Sequence, residues 1–270
     1  MRRVPVPPGL AERAALAADP VQAKDAATIA VVRDGADGGI EAFLMRRQSS
    51  MAFAPGMYVF PGGGVHPEDA EPLAWVGPSA AEFAGRLGCT PELAHALVVA
   101  AVRETFEETG VLLAGPAADA VCDDTTPFHD AREALENREY SLAHFLATHG
   151  LVLRADLIGV WAHWITPAFE PRRYDTRFFV AVLPEGQRID AVSCEADTSL
   201  WAPLSEVLAH VDAGNAAMLP PTAVTCRELS AETAGSVLDS AARRKVVPIE
   251  PRLVTVDGEL WLEIAEEDHL

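Results

Sequence analysis

At 270 residues with 49% apolar side chains, the chain can bury a sizeable core, and it holds no apolar run of 18 residues, which argues against a membrane span. A formal net charge of −19 argues against a nucleic-acid polymer as partner, because phosphate backbones are bound by excess lysine and arginine. It leaves open a small phosphorylated substrate carried in with a divalent cation.

In chain order, residues 1–24 begin basic but lack the apolar segment of a secretory signal, and read as an N-terminal tail. Residues 25–270 read as one α/β domain. Its first strands are Ala27–Arg33 and Ile40–Arg47, joined by a Gly/Asp-rich turn, and a short strand Met57–Phe60 then runs into the bend "PGGG". Residues 65 to 91 read as an elaborated loop with a short helix near Ser79–Leu87. From Pro91 the sequence predicts a helix, with Thr90 as N-cap and Gly110 as the stop. Two shorter helices follow around His129–Asn137 and Ser141–His149. "DLIGVWAHWITP" and "TRFFVAVLP" read as strands, "PLSEVLAHVDAG" as a short helix, and residues 220–244 as one longer helix. The chain closes with a hairpin over residues 252–264, turned by Asp257–Gly258. Cys89, Cys122, Cys194 and Cys226 form no C-x-x-C pair, as expected of reduced thiols in a cytoplasmic protein. Asp268 departs from the small residue a peroxisomal C-terminal address wants, so the expected location is cytoplasmic.

The helix from Pro91 carries the chemistry. At about 100° per residue, Glu104, Glu107 and Glu108 fall within one arc, while Val98, Val99, Val102 and Phe106 form the opposite, core-facing arc. Three anions in the last turns of a helix oppose its macrodipole. Two readings follow: a solvated acidic face with an ordinary Arg103–Glu107 pair, or a set of hard oxygen ligands for a divalent cation.

Residues 103–111, "RETFEETGV", resemble the second half of the Nudix box, R-E-U-x-E-E-x-G-U with U apolar, with Thr105 the one mild departure. Upstream, Gly62–Gly64 supply the glycines of the first half. Glu68 lies six residues after Gly62 and Asp69 six after Gly63, so either acid can take the usual supporting place. The stretch from that acid to Arg103 is about 26 residues longer than in the usual box, which a loop tolerates because closure entropy grows slowly with length.

The resemblance implies an α/β/α sandwich with a mixed sheet between helices, and insertions within the box (about 65–91) and after it (about 115–155). It also implies hydrolysis, dependent on Mg²⁺ or Mn²⁺, of a nucleoside diphosphate linked to another group. Carried over, Glu104 and Glu108 become principal metal ligands. Glu107 becomes a further ligand and catalytic group braced by Arg103. A second glutamate often precedes a tryptophan downstream of the box; Glu195, six residues before Trp201, fits that place, with Asp197 as the alternative.

"GMYVFPGG" resembles the signature preceding the box in coenzyme A diphosphatases, with Arg47 and Ser49 or Ser50 as the nearest equivalents of its upstream element. The long insertion and "WITPAFEPRRYDTRFFVAVLP" resemble the subfamily containing the peroxisomal coenzyme A diphosphatase of animals. Arg47, Gly62, Gly63, Arg173 and Arg177 are therefore the candidate substrate-binding residues; the bland alternative for Arg172, Arg173 and Arg177 is pairing with local acids. Trp161, Trp164, Phe169 and Tyr174 read as core before adenine-stacking residues, and His163 as an interior histidine. The expected substrate is coenzyme A or an acyl derivative, with ADP-ribose and NADH as alternatives within the same chemistry. A non-catalytic nucleotide sensor is the rival of another class, and self-association as a homodimer is compatible with the sequence.

Overall fold

The computed structural model describes residues 2–5, 21–48, 56–189 and 196–264. The two strands read at the start of the domain form an antiparallel pair, β1 (Lys24–Asp34) and β2 (Ile40–Arg47). Along β1, Ile29 and Val31 enter one core while Ala30 and Val32 enter another. A strand buried on both faces needs cover on both sides. β3 (Tyr58–Val59) adds to β2, and β4 (Gly62–Gly64) to β1.

β5 (Gly159–Ile165), β6 (Tyr174–Val182), β7 (Ala196–Pro203) and β8 (Pro248–Ile249) complete an eight-stranded mixed sheet, ordered β7-β2-β1-β6-β5-β8. β6 runs parallel to β1, and β5–β6 and β7–β2 are antiparallel. One face packs against α1 (Ala80–Leu87) and α2 (Pro91–Thr109), with α3 (His129–Glu136) and α4 (Leu142–Thr148) beyond them. The other packs against α5 (Leu204–Asp212), α6 (Pro220–Leu229) and α7 (Val237–Arg243). This is the expected α/β/α sandwich.

The stretches read as insertions are tied together: Trp75–Val76 pairs with Val152–Arg154, which pairs in turn with Ala114–Gly115. Two expectations are corrected. Residues 220–244 form two helices, because Thr233 and Ser236 bond each other's backbone and side chain and Ala234 N donates to Asp34 Oδ1 at 2.8 Å. Such local side-chain bonds compete with a continuing helix. Within the stretch read as a tail, Arg2–Pro5 forms a strand on the closing hairpin, pairing with Glu259–Ile264. The hairpin turns as predicted, with Asp257 and Gly258 both at positive φ. Among the described residues no helix is long and apolar enough to cross a membrane.

Candidate functional site

Helix α2 starts and stops where its sequence dictates. Thr90 Oγ1 accepts from Leu93 N at 3.3 Å, and Gly110 takes φ 74° as the left-handed cap. Thr105, at a position that is usually apolar, satisfies its hydroxyl by donating to Ala101 O at 2.7 Å. Val98, Val99, Val102 and Phe106 are each at most 1% exposed, in the core against the sheet. The glutamate face is buried too: Glu104, Glu107 and Glu108 are 9%, 8% and 9% exposed. That removes the reading of a solvated acidic face.

The cover over these acids is the glycine bend and the short 3-10 turn Pro67–Ala70 that follows it. Gly62 N donates to Glu108 Oε2 at 2.8 Å. A Cβ on Gly62 would lie 2.5 Å from Ala27 O and 2.6 Å from Thr28 Cα, so the bend needs glycine to pack against β1, and one on Gly63 would displace the Glu104 carboxylate, 2.3 Å away. β4 is fixed in turn by its pairing with Ala26–Thr28 and by Thr28 Oγ1, which donates to Pro61 O at 2.6 Å.

Arg103 is the hub. Its Nε and one terminal nitrogen grip Asp69 Oδ1 and Oδ2 at 2.8 and 3.0 Å, and the latter nitrogen also donates to Gly64 O at 3.1 Å. The other terminal nitrogen donates to Glu104 Oε1 at 2.8 Å and Glu107 Oε2 at 3.1 Å. The geometry decides between the two acids that spacing left open: Asp69, 2% exposed, is the partner, and Glu68 is exposed. A bidentate guanidinium–carboxylate pair fixes orientation as well as charge. Burial alone would lower the Arg103 pKa, but Asp69, Glu104 and Glu107 outweigh it and raise it. From α3, Arg132 Nε donates to Glu107 O at 2.8 Å and so anchors the last turns of α2.

Burial, more than the neighbouring Glu104 charge, pushes the Glu107 carboxyl up to about 7, against the opposing pull of Arg103. A folded-state pKa raised above the unfolded value favours the protonated native form. This group's contribution to the stability of the metal-free protein therefore falls as pH rises from about 4.5 to about 7, by about 3 kcal/mol. In EDTA, the wild-type melting temperature should drop relative to Glu107→Gln over that window; parallel curves for the two proteins would refute it.

The acids form the floor of a cleft of about 930 Å³. Its lining includes Arg47, Val59 and Phe60 from β2, β3 and the bend, Trp164, Phe169, Tyr174 and Phe178 from β5, β6 and the loop between them, and Arg138 and Tyr140 from just after α3. Gly62 and Gly63 also line it. Arg173 and Arg177, read as substrate contacts, are not among its described lining residues, and the bonds described for them go to protein groups. Arg173 donates to Thr166 O and Val21 O and pairs with Glu250 at 2.6 Å. Arg177 pairs with Asp25 at 3.1 Å and Asp175 at 2.6 Å, on the face of β6 opposite the cleft-lining Thr176 and Phe178. His163 is interior and pairs with Asp175. Trp161 is core, its Nε1 donating to Glu228 at 2.8 Å, whereas Trp164, Phe169 and Tyr174 reach the cleft. Glu195, Ser49 and Ser50 lie outside the described residues; of Asp197 only the backbone, within β7, is described.

Among the described residues, no three Asp, Glu, His or Cys side chains already enclose a metal position. The donor set nonetheless fits a hard divalent cation. Mg²⁺ is ordinarily held by one or two carboxylates with waters and substrate phosphates, not by a closed protein cage. The elevated Glu107 pKa, raised chiefly by burial, marks a carboxylate whose charged form lacks solvent and would be stabilised by a bound cation.

Residues 89–229 match the sequence profile of the NUDT19 Nudix domain. The chain is 29% identical over 189 residues to nudix hydrolase 7 of Caenorhabditis elegans, covering 69% of this chain and 55% of that protein. It is 22% identical over 204 residues to the acyl-coenzyme A diphosphatase NUDT19 of Xenopus laevis, covering 62% of this chain and 54% of that protein. The chain thus spans about half the length of the curated relatives it matches. The crystal structure of a Nudix hydrolase from Alicyclobacillus acidocaldarius superposes with a TM-score of 0.71 at 31% identity, covering 81% of this chain and 96% of that one.

Proposed function

The chain belongs to the Nudix family, in the branch described as the NUDT19 Nudix domain, and from that premise we propose that it hydrolyses the diphosphate bond of coenzyme A or an acyl-coenzyme A. The products are 3′,5′-ADP and a 4′-phosphopantetheine species. The observation that carries the reading is the Arg103–Asp69 hub holding three buried glutamates against Gly62–Gly64 on the floor of a large cleft. The acyl-coenzyme A substrate draws its support from the relatives that carry that name.

Glu104 and Glu108 are the principal ligands for Mg²⁺ or Mn²⁺, with Glu107 as a further one. A divalent cation there draws charge from the phosphoryl oxygens and makes water more acidic. The protein supplies the rest. The glycine bend brings backbone within reach of the diphosphate, and Gly62 N orients Glu108. Arg103 holds Glu104 and Glu107 in one geometry. Glu107, held beside the two principal ligands by Arg103, is the described carboxylate placed to take a proton as water adds to phosphorus and the bridging P–O bond breaks. Trp164, Phe169, Tyr174 and Phe178 give the cleft an apolar wall for the organic part of the substrate.

The test is a panel of coenzyme A, an acyl-coenzyme A, ADP-ribose, NADH and nucleoside triphosphates, each with Mg²⁺ and with Mn²⁺, with products identified by mass. The expected result is release of 3′,5′-ADP, with the highest kcat/KM for a coenzyme A species. Preferred cleavage of ADP-ribose or NADH would remove the substrate assignment and leave the diphosphatase. No turnover of any member with either metal would favour the nucleotide-sensor reading.

A further inference from the structure

Helix α3 closes with a turn that glycine normally makes. Arg138 N donates to Leu135 O at 2.8 Å and Glu139 N to Ala134 O at 2.9 Å, the two bonds of a Schellman motif. Arg138 takes the left-handed position of that motif at φ 58°. A residue with a Cβ is strained there, and glycine would close the same two bonds without strain. The side chain at 138 therefore has to be explained by what its guanidinium does.

The guanidinium reaches across the cleft wall to His66, with a terminal nitrogen 3.0 Å from His66 Nε2. His66 is half-buried. Its pKa lies below the usual histidine range, from burial first and then from Arg103 and Arg138, so the neutral ring accepts this bond. The His66 backbone N–H donates to Asp69 Oδ2 at 2.8 Å, which ties the pair to the hub of the site. Arg138 itself is exposed, and among the described residues this contact uses one of its five N–H donors.

The charge around it is otherwise negative: Glu136, Glu139, Glu68 and Glu71 line the same part of the cleft. An anionic group entering there meets repulsion except at Arg138. The other lining arginines do not serve this place. Arg103 is committed to carboxylates on the buried floor, and Arg47 stands at the end of β2, its backbone N–H donating to Met57 O at 3.0 Å. The diphosphate belongs on the floor, over Glu104, Glu108 and the glycine bend. Arg138 stands at the rim.

We infer that Arg138, steadied by His66, recognises a phosphate of the substrate other than the diphosphate that is cut, and so selects substrates carrying a phosphomonoester. The inference rests on the diphosphatase reading above; on coenzyme A the group is the ribose 3′-phosphate. The competing account, a cation placed to favour a helix C-terminus, concerns stability alone.

Binding of 3′,5′-ADP and of 5′-AMP, measured by calorimetry on the full chain with Mg²⁺, separates the two accounts without needing turnover. The wild type should bind 3′,5′-ADP about tenfold or more tightly than 5′-AMP, the usual scale for one charge-assisted contact. Arg138→Gly should stay folded, with a melting temperature at or above the wild type, and bind the two nucleotides alike. Arg138→Lys should keep part of the preference. On coenzyme A, Arg138→Gly should raise KM about tenfold and leave kcat within about twofold. A wild type without preference for 3′,5′-ADP would overturn the inference. So would a glycine variant that keeps the preference, or one that loses both nucleotides equally. If the substrate panel shows no hydrolysis, the proposed function fails while this comparison still decides the role of Arg138.

Discussion

Glu108→Gln is expected to lower kcat by about 10³-fold or more at saturating Mg²⁺ or Mn²⁺, with the fold intact. The two halves of that expectation have separate causes. One contact that holds Glu108 in the fold is Gly62 N donating to Oε2 at 2.8 Å, and a glutamine carbonyl accepts the same bond. The melting temperature of the metal-free variant should therefore lie within about 2 °C of the wild type, as for other changes without a named destabilising cause. The loss is charge at an oxygen we propose as a metal ligand. Metal ions contribute several kcal/mol of transition-state charge stabilisation, and each 1.36 kcal/mol is about a factor of ten in rate. Metal-stimulated turnover unchanged in this variant would remove Glu108 from the ligand set. A variant that unfolds would show that the glycine bend needs the full carboxylate.

The helix that carries the site was legible in the sequence because several local signals agreed. Thr90 at the N-cap, Pro91 in the first turn, Gly110 at the stop and an apolar arc through Val98, Val102 and Phe106 all specify the element that forms. The same consistency marked β1, β2 and the closing hairpin. What pattern could not reveal was the cover over the glutamates. Their burial depends on a loop some forty positions earlier in the chain folding back onto the helix, and i, i+3, i+4 spacing looks the same for a solvated and a covered face.

Long-range pairing also set the fate of the arginines. Arg173 and Arg177 stood out close together in sequence, yet Arg173 pairs with Glu250, just beyond β8, and Arg177 with Asp25 of β1 as well as with the local Asp175. Arg138 gave no sequence signal, since its meaning lies in a left-handed backbone and a contact with His66, 72 positions earlier. The helix read over residues 220–244 failed for a local reason: helical composition was interrupted by Thr233 and Ser236, whose mutual bonds form a turn that competes with the continuing helix.

Asp69→Ala is expected to be the most destabilising single change in the site, and the paired change Glu68→Ala nearly silent. Both acids lie six residues after a glycine, so sequence treats them alike; the structure does not. Asp69 is 2% exposed and accepts two bonds from Arg103 and one from His66 N. Its removal leaves a buried guanidinium with less counter-charge, a loss of about 3–5 kcal/mol, or about 10 °C in melting temperature for a chain of this size. Activity should fall as well, by about 10²-fold at a temperature where the variant is folded, because Arg103 then swings toward Glu104 and Glu107 and competes with the cation for their oxygens. Asp69→Asn should recover part of the stability, since its carbonyl still accepts one bond, without recovering the charge. Glu68 is exposed, and its replacement should change stability by no more than about 0.5 kcal/mol. Thermal melts of the three variants beside the wild type decide the matter. Equal losses from Asp69→Ala and Glu68→Ala would mean that Arg103 is not held by Asp69, and the buried hub from which the catalytic reading is built would have to be abandoned.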